Sequence, residues 1–329
     1  MTADEAARLP TDALHEIVPG ADVTRGRTLV VAGGRTMVVR PTAPDDVDGL
    51  ARLYACLSDD DVHLRFFAMY HPPTAFFERL AWAAVNGLGF GLVAVTDDPD
   101  GPIVGEASYF LLDNGNGELA VTVAPRWRGW LGPYLLDALL AAAAARGVPN
   151  LEAEILVENR RMLAVMRRHR YAVLDSSDVS AVRLVVGTST PTPTWPEPHD
   201  HARVLVEATG GRWRNGATAR EAGLQVMVCP GPRPGGSPHC PALEGASCPL
   251  VAGADVVFCE LARDRPGAED LRRAHASVHP TTPVLVRGDV MTPQETALDP
   301  RAGDDALVSL LRRIVAGRLD TGAGPEAPT

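Results

Sequence analysis

The chain contains no lysine, so all 31 of its basic residues are arginine, and 41 acidic residues leave a net charge of −10 over 329 residues. A surface of that sign offers no broad cationic face, which excludes nonspecific nucleic-acid binding but leaves room for a local basic pocket for a phosphate-rich cofactor. The protein also cannot modify lysine side chains of its own. Cysteine is scarce and odd in number, five in all, which fits a reducing compartment better than a disulfide framework. No apolar run approaches the roughly 18 residues of a membrane span. The stretch Leu135 to Ala145 is too short, and the acidic start Met1-Thr2-Ala3-Asp4-Glu5 lacks a signal-peptide core. The expectation is a cytoplasmic protein with no nucleic-acid and no membrane partner.

What is present is the composition of a globular protein, 46% hydrophobic and 22% charged, at a length that suits two domains. Thr28–Val31 and Thr36–Val39 are β-rich runs around Gly33-Gly34 and read as a hairpin that Pro41 ends. Asp45 and Asp46 open a helix carried by Val47, Leu50, Leu53, Tyr54 and Leu57. A second helix spans about Pro73 to Val85. Strands are expected at 91–96, 103–112 and 118–124, separated by turn sequences at 97–101 and 114–117. A helix over 131–146, a strand at 151–157, a helix at 160–170 and strands near 171–174 and 181–186 complete a mixed α/β sheet with helices on both faces. The Pro- and Thr-rich run 188–200 resists helix and sheet and reads as a linker. Beyond it, strands at 203–206, 224–229, 255–259 and 283–286 alternate with helical patterns, as in a small parallel α/β domain. The organisation read from the sequence is a lead-in with a strand at 1–36, an α/β domain at 37–187, the linker 188–200, a smaller α/β domain at 201–319, and a disordered tail at 320–329.

The segment most informative about chemistry runs from Glu118 through Ala124-Pro125-Arg126-Trp127-Arg128-Gly129-Trp130-Leu131-Gly132-Pro133 to Leu135-Leu136. A strand enters a basic, glycine-containing loop that opens a helix. Such an opening presents partnerless N–H groups with partial positive charge, an anion cradle to which Arg126 and Arg128 add full charge. This loop resembles the acyl-CoA pyrophosphate motif of the GNAT superfamily. Downstream, Asn159-Arg160-Arg161-Met162-Leu163 and Arg168-His169-Arg170-Tyr171 resemble that superfamily's Asn-Arg-x-Met segment. Upstream, Leu57-Ser58 and Leu64-Arg65-Phe66-Phe67 are similar to a stretch found in the bacterial protein lysine acetyltransferases that act on acyl-CoA synthetases.

The resemblance covers about half of the chain and implies a GNAT-type fold and an N-acyltransferase that moves an acetyl group from acetyl-CoA to an amine. The acceptor it suggests is a protein lysine, such as one on an acyl-CoA synthetase. It implies that the backbone of Val121 and Val123 holds the pantetheine arm. The pyrophosphate falls to Arg126, Arg128, Gly129, Trp130 and Gly132, Asn159 stands beside the thiol end, and Glu118 is the general base. A base is needed because an acceptor lysine, with a free pKa of about 10.4, is almost wholly protonated near pH 7. A turn residue after Asn116-Gly117 would account for Glu118 equally simply.

The loop also departs from the family pattern. Leu131 stands where a glycine is usual, Pro133 removes an N–H, Trp130 is bulky, Arg128 lies one residue closer to the leucine pair, and Arg170 replaces the glycine before Tyr171. These changes carry the alternative reading, a non-catalytic acyl-CoA-sensing regulatory protein.

No metal site is expected. Cys229, His239, Cys240 and Cys248 lack any Cys-x₂-Cys knuckle, and zinc or a Cys240–Cys248 disulfide there is a third reading. The stretches Asp255–Leu261 and His279–Val286 resemble degenerate response-regulator receiver domains, with Glu260 at the phosphoacceptor position. An ordinary flavodoxin-like α/β domain of any role accounts for them as well.

Overall fold

The computed structural model describes residues 26–30, 36–97, 101–175, 178–197, 200–232, 240–261 and 267–320. Most of the lead-in, the hairpin tip at 31–35, His199, His239 and the tail beyond 320 lie outside them. The chain divides into two compact units, Met1–Ala153 and Glu154–Thr329.

The first unit is built on strands β1 (Arg27–Val30), β2 (Thr36–Pro41), β3 (Gly89–Thr96), β4 (Ile103–Leu111), β5 (Gly117–Val123) and the start of β6 (Asn150–Leu156), side by side in that order. The first five are antiparallel neighbours, and β5 then runs parallel to β6. Residues of β3 and β4 are almost continuously buried, which is why Phe90, Leu92, Val93 and Ala94 follow one another without polar interruption.

Helices α1 (Val47–Ala55), α2 (Asp59–Phe66) and α3 (Thr74–Trp82) precede β3. Leu50, Leu53 and Tyr54 of α1 recur at helical spacing and pack with Phe77 and Leu80 of α3 against Val93 and Ile103. The sequence reading missed α2. It buries one side chain, Val62, and its acidic start looks like a loop. Its start signal is nonetheless a capping box, in which the Ser58 hydroxyl accepts from the Asp61 amide and the Asp61 carboxylate accepts from the Ser58 amide.

On the other side of the sheet lies α4 (Leu131–Ala144). Leu131, Leu135, Leu136 and Leu139 are each fully buried, and each contributes about 1.5–3 kcal/mol. Gly105 of β4 allows this approach, because a Cβ there would lie 2.9 Å from Leu135 Cδ1 and 3.0 Å from Leu131 Cδ2.

The second unit contains α5 (Arg160–Met166), β7 (Tyr171–Asp175), β8 (Ala181–Gly187), β9 (Ala202–Glu207), α6 (Gly216–Glu221), β10 (Leu224–Cys229), α7 (Pro249–Ala252), β11 (Val256–Cys259), α8 (Ala268–Val278), β12 (Val284–Arg287), β13 (Glu295–Leu298) and α9 (Asp304–Asp320). Strands β10-β9-β11-β12-β13 pair in parallel in that order, and β7 joins antiparallel at Val173↔Val228. This is the order of flavodoxin-like doubly wound sheets. The short strand β13 was not legible, because its two central residues are exposed. Within the run read as a linker, Trp195 is buried in this unit's core and its indole donates to the Leu250 carbonyl at 2.7 Å. Alternating prolines keep that run out of helix and sheet without freeing it from the core.

A buried ion pair, Arg272–Glu295 at 2.6 Å, ties α8 to β13. Burial works to raise the Glu295 carboxyl, but Arg272 and the Met291 and Thr292 amides outweigh it and hold it below the ordinary carboxylate range. A group depressed in the folded state stabilises at neutral pH, and that contribution disappears as the pH falls through the depressed value. Glu295→Gln is expected to cost about 3–5 kcal/mol, as for a buried pair with one partner removed. Denaturant titration at pH 7 and pH 3 checks it, the gap between variant and wild type narrowing at the lower pH.

Candidate functional site

The site of interest in the first unit lies along the outer edge of β5. The ladder to β4 pairs Glu106↔Thr122, Ser108↔Ala120 and Phe110↔Glu118, and the Ala124 amide bonds the Val104 carbonyl. By the alternation of an antiparallel ladder, the even-numbered residues of β5 exchange bonds with β4. The amides and carbonyls of Val121 and Val123 therefore point away from β4, toward β6. Yet β5 pairs with β6 at only Gly117↔Leu151 and Glu118↔Glu152. The two residues named from sequence for backbone binding thus sit on a strand edge beyond the end of its parallel ladder.

A polar clamp holds the closed end. Glu152 accepts from Asn114 Nδ2 at 3.0 Å and from Asn116 Nδ2 at 2.7 Å, and Asn116 Oδ1 accepts from Asn150 Nδ2 at 2.9 Å. Asn116, Asn150 and Glu152 are all buried. The sequence marked 114–117 as a turn but gave no sign that its side chains hold β6. Glu152→Ala, which strands both asparagine amides, is expected to lower stability by about 1–3 kcal/mol, readable from the midpoint of urea unfolding.

The loop after β5 makes a 3-10 turn at Pro125–Trp127, passes Arg128 in extended conformation, and turns at Gly129 with φ +101°. Only glycine takes that conformation without strain. Trp130 then precedes α4 without a side-chain cap, so the first N–H groups of the helix have no intrahelical acceptor. Pro133 is its third residue, where a missing N–H costs little. A Cβ placed on Gly129 would meet nothing within 4 Å, and one on Gly132 would meet only Val123 Cγ2 at 3.8 Å, so the backbone is open to a bulky anion. Trp127 and Trp130 pack edge to face, with centroids 6.5 Å apart. Arg126 is exposed. Leu131, in the place of a family glycine, is a core residue seated over Gly105.

The Arg128 side chain turns back from the loop. Its Nη2 lies 2.7 Å from Asp61 Oδ2, and its Nε donates to the Val123 carbonyl at 3.4 Å. Burial works to raise the Asp61 carboxyl, but Arg128 and Ser58 outweigh it and hold it below the ordinary range.

Glu118 is exposed at the entry end of β5. Farther along the same face, under α1, lies a buried cluster absent from the sequence reading. Thr122 Oγ1 donates to Tyr54 Oη at 3.0 Å, and Tyr54 Oη donates to Glu106 Oε2 at 3.2 Å. Glu106 is fully buried with Oε1 unpaired, and Arg65 Nε is unpaired as well. Burial pushes the Glu106 carboxyl up against the opposing pull of Arg65, Ser108 and Tyr54. Burial and the Glu106 charge together push the Tyr54 phenol up. In sequence, Glu106 is one polar residue inside an apolar strand, which signals either a bulge or a buried network.

Asn159 belongs to the second unit. It caps α5, its Oδ1 accepting from the Met162 amide at 3.1 Å. The cysteines are all free thiols, so Cys240 and Cys248 form no disulfide here. Cys229, Cys240 and Cys248 lie in the apolar core. Burial pushes the Cys229 thiol up to about 12 and the Cys248 thiol up to about 11, which disfavours the thiolate needed to bind metal. Among the described residues no group of three His, Cys, Asp or Glu is placed to hold a metal ion, and no helix is long and apolar enough to cross a membrane.

Residues 36–171 match the family model of the acetyltransferase (GNAT) domain. The acetyltransferase Pat of Mycolicibacterium smegmatis is 28% identical over 142 residues, which are 42% of this chain and 42% of that protein. The chain therefore aligns with less than half the length of that curated relative. Among solved structures, the GNAT domain of S. lividans PAT is 26% identical with a TM-score of 0.43, covering 49% of this chain and 96% of that one. A putative acetyltransferase from Salmonella typhimurium, solved with acetyl-CoA, is 19% identical with a TM-score of 0.36, covering 46% of this chain and 94% of that one. The family match ends at residue 171, and the likeness of the C-terminal part to receiver domains gains no support.

Proposed function

We propose that this protein is an N-acyltransferase that moves an acetyl group from acetyl-CoA to an amine, with Glu118 as general base. Residues 37–187 form the acyltransferase domain on this reading, and 201–319 a smaller regulatory or partner-binding α/β domain. The observation that carries it is the outward-facing edge of β5 at Val121 and Val123, leading directly to the open N-terminus of α4. Such an edge can accept an amide-bearing arm as a surrogate strand, and the helix opening suits a pyrophosphate. The N–H groups near Gly129, Trp130 and Gly132 hold the phosphates, with Arg126 and Arg128 supplying charge. Asn159 is assigned to the thiol end on the family resemblance.

The Glu118 carboxylate takes a proton from the acceptor ammonium, directly or through water. The amine nitrogen then forms a bond to the thioester carbonyl carbon, and the carbon–sulfur bond breaks. CoA leaves as a thiolate and takes up, through solvent, the second proton that the nitrogen loses as it becomes an amide. A β5 amide near Val123 stabilises the developing oxyanion.

A protein lysine is the favoured acceptor. The likeness to Pat supports it, as does the acidic balance of the chain, which attracts basic segments. Exposed Phe67, Met69 and Tyr70 after α2 offer apolar surface to a lysine stem. The second reading, a cofactor sensor without turnover, is favoured by one observation, the Arg128 side chain engaged by Asp61 and Val123. Calorimetric titration with acetyl-CoA tests both readings. Saturable binding is expected, and none at millimolar cofactor would overturn both.

A further inference from the structure

Arg128 is the loop cation that contacts the edge of β5, and three observations show how it is held. Its guanidinium contacts the Asp61 carboxylate at 2.7 Å. It also donates to the carbonyl of Val123, one of the two outward-facing positions on that edge. Asp61 is itself fixed, its carboxylate accepting from the Ser58 hydroxyl at 2.7 Å and the Ser58 amide at 3.2 Å. A capped helix thus presents a rigid anion to the cation of the cofactor loop. Neither partner is free in water, with side chains 28% and 15% exposed for Arg128 and Asp61, so the pair is screened less than an ordinary surface pair.

We infer that Asp61 is a positioning residue for the cofactor loop, competing with the pyrophosphate of acyl-CoA for the Arg128 guanidinium and keeping Arg128 across Val123 until the cofactor displaces it. The inference rests on the acyl-CoA reading of this site. One cation cannot neutralise both anions at full strength, and the Val123 carbonyl cannot serve both Arg128 and a surrogate strand in the same direction. Cofactor binding therefore includes the cost of releasing Arg128 from α2. The altered loop then weakens binding by occupying its own cation.

Asp61→Asn isolates the effect, because asparagine keeps an acceptor oxygen for the Ser58 cap while removing the charge. Acetyl-CoA binding by calorimetry and amide hydrogen exchange over residues 124–131 are measured on the full chain for wild type, Asp61→Asn and Asp61→Glu. Asp61→Asn is expected to bind about five- to tenfold more tightly, on the scale of a partly buried ion pair, and its loop to exchange several-fold faster. Asp61→Glu, which keeps the charge and the capping box, is expected to return toward wild type in both readouts. If wild type binds and Asp61→Asn binds equally or more weakly, the pair is a brace and the inference falls while the acyl-CoA reading stands. If neither protein binds at millimolar acetyl-CoA, the functional reading fails and takes the inference with it.

Discussion

On the proposed mechanism, replacing Glu118 with glutamine is expected to lower acetyl transfer by about 10²–10⁴-fold, the usual range for loss of a general base, while acetyl-CoA affinity changes by less than about twofold. Glu118 is exposed and its backbone is paired on both sides, with Phe110 of β4 and Glu152 of β6. The substitution therefore leaves the strand in place and removes only the carboxylate. Initial rates with an amine acceptor, together with a calorimetric titration of the same protein, separate the two effects. Unchanged turnover would remove Glu118 from the chemistry and leave it a turn-proximal surface residue. A parallel loss of cofactor affinity would assign it to binding instead. The buried Glu106 is another carboxylate on this face, but it is shut beneath Tyr54 and so is no candidate for contact with an acceptor.

The second large effect concerns stability. Changing Leu131 to alanine, one methyl away from the glycine usual in the family, is expected to cost about 2–5 kcal/mol, as for other buried leucines cut back to alanine. Leu131 is fully buried and lies over Gly105, which has no side chain to fill the space left behind. Making the loop more family-like at this position therefore harms the fold, and any gain in cofactor affinity would be masked by unfolding. Chemical denaturation gives the cost. A loss below about 1 kcal/mol would mean that neighbouring side chains collapse into the gap.

Legibility from sequence divided along physical lines. Strands β3, β4 and β5, the helical stripe of α1 and the leucine-rich α4 announce themselves, because periodicity and composition act within a few residues. The strand–loop–helix order of the candidate site was readable for the same reason. What escaped depends on partners distant in the chain. Arg128 could be read as a cation but not as a cation claimed by Asp61, because the capping box that fixes Asp61 lies on a helix whose polar start hid it. Leu131 looked like a defect in a loop, since nothing near it in sequence points to Gly105. Glu106 could be seen as an oddity in an apolar strand, but its meaning lies in Tyr54 and Thr122, one on a helix and one on the next strand. The Asn116–Glu152 clamp joins a turn to a strand that begins only after α4.

The contact between Gly105 and Leu131 has a consequence for relatives of this protein. The two positions share one volume, so the residue at one constrains the residue at the other. A homologue with glycine at the helix start has room for a larger side chain on the facing strand once the residue at 135 also gives way, since Leu135 Cδ1 lies as close to that space as Leu131, and a homologue that keeps leucine at 131 must keep the strand bare. The pair should therefore vary together across the family, as a compensating exchange of size. A double substitution that moves the bulk from position 131 to position 105 should recover part of the stability that either single change loses.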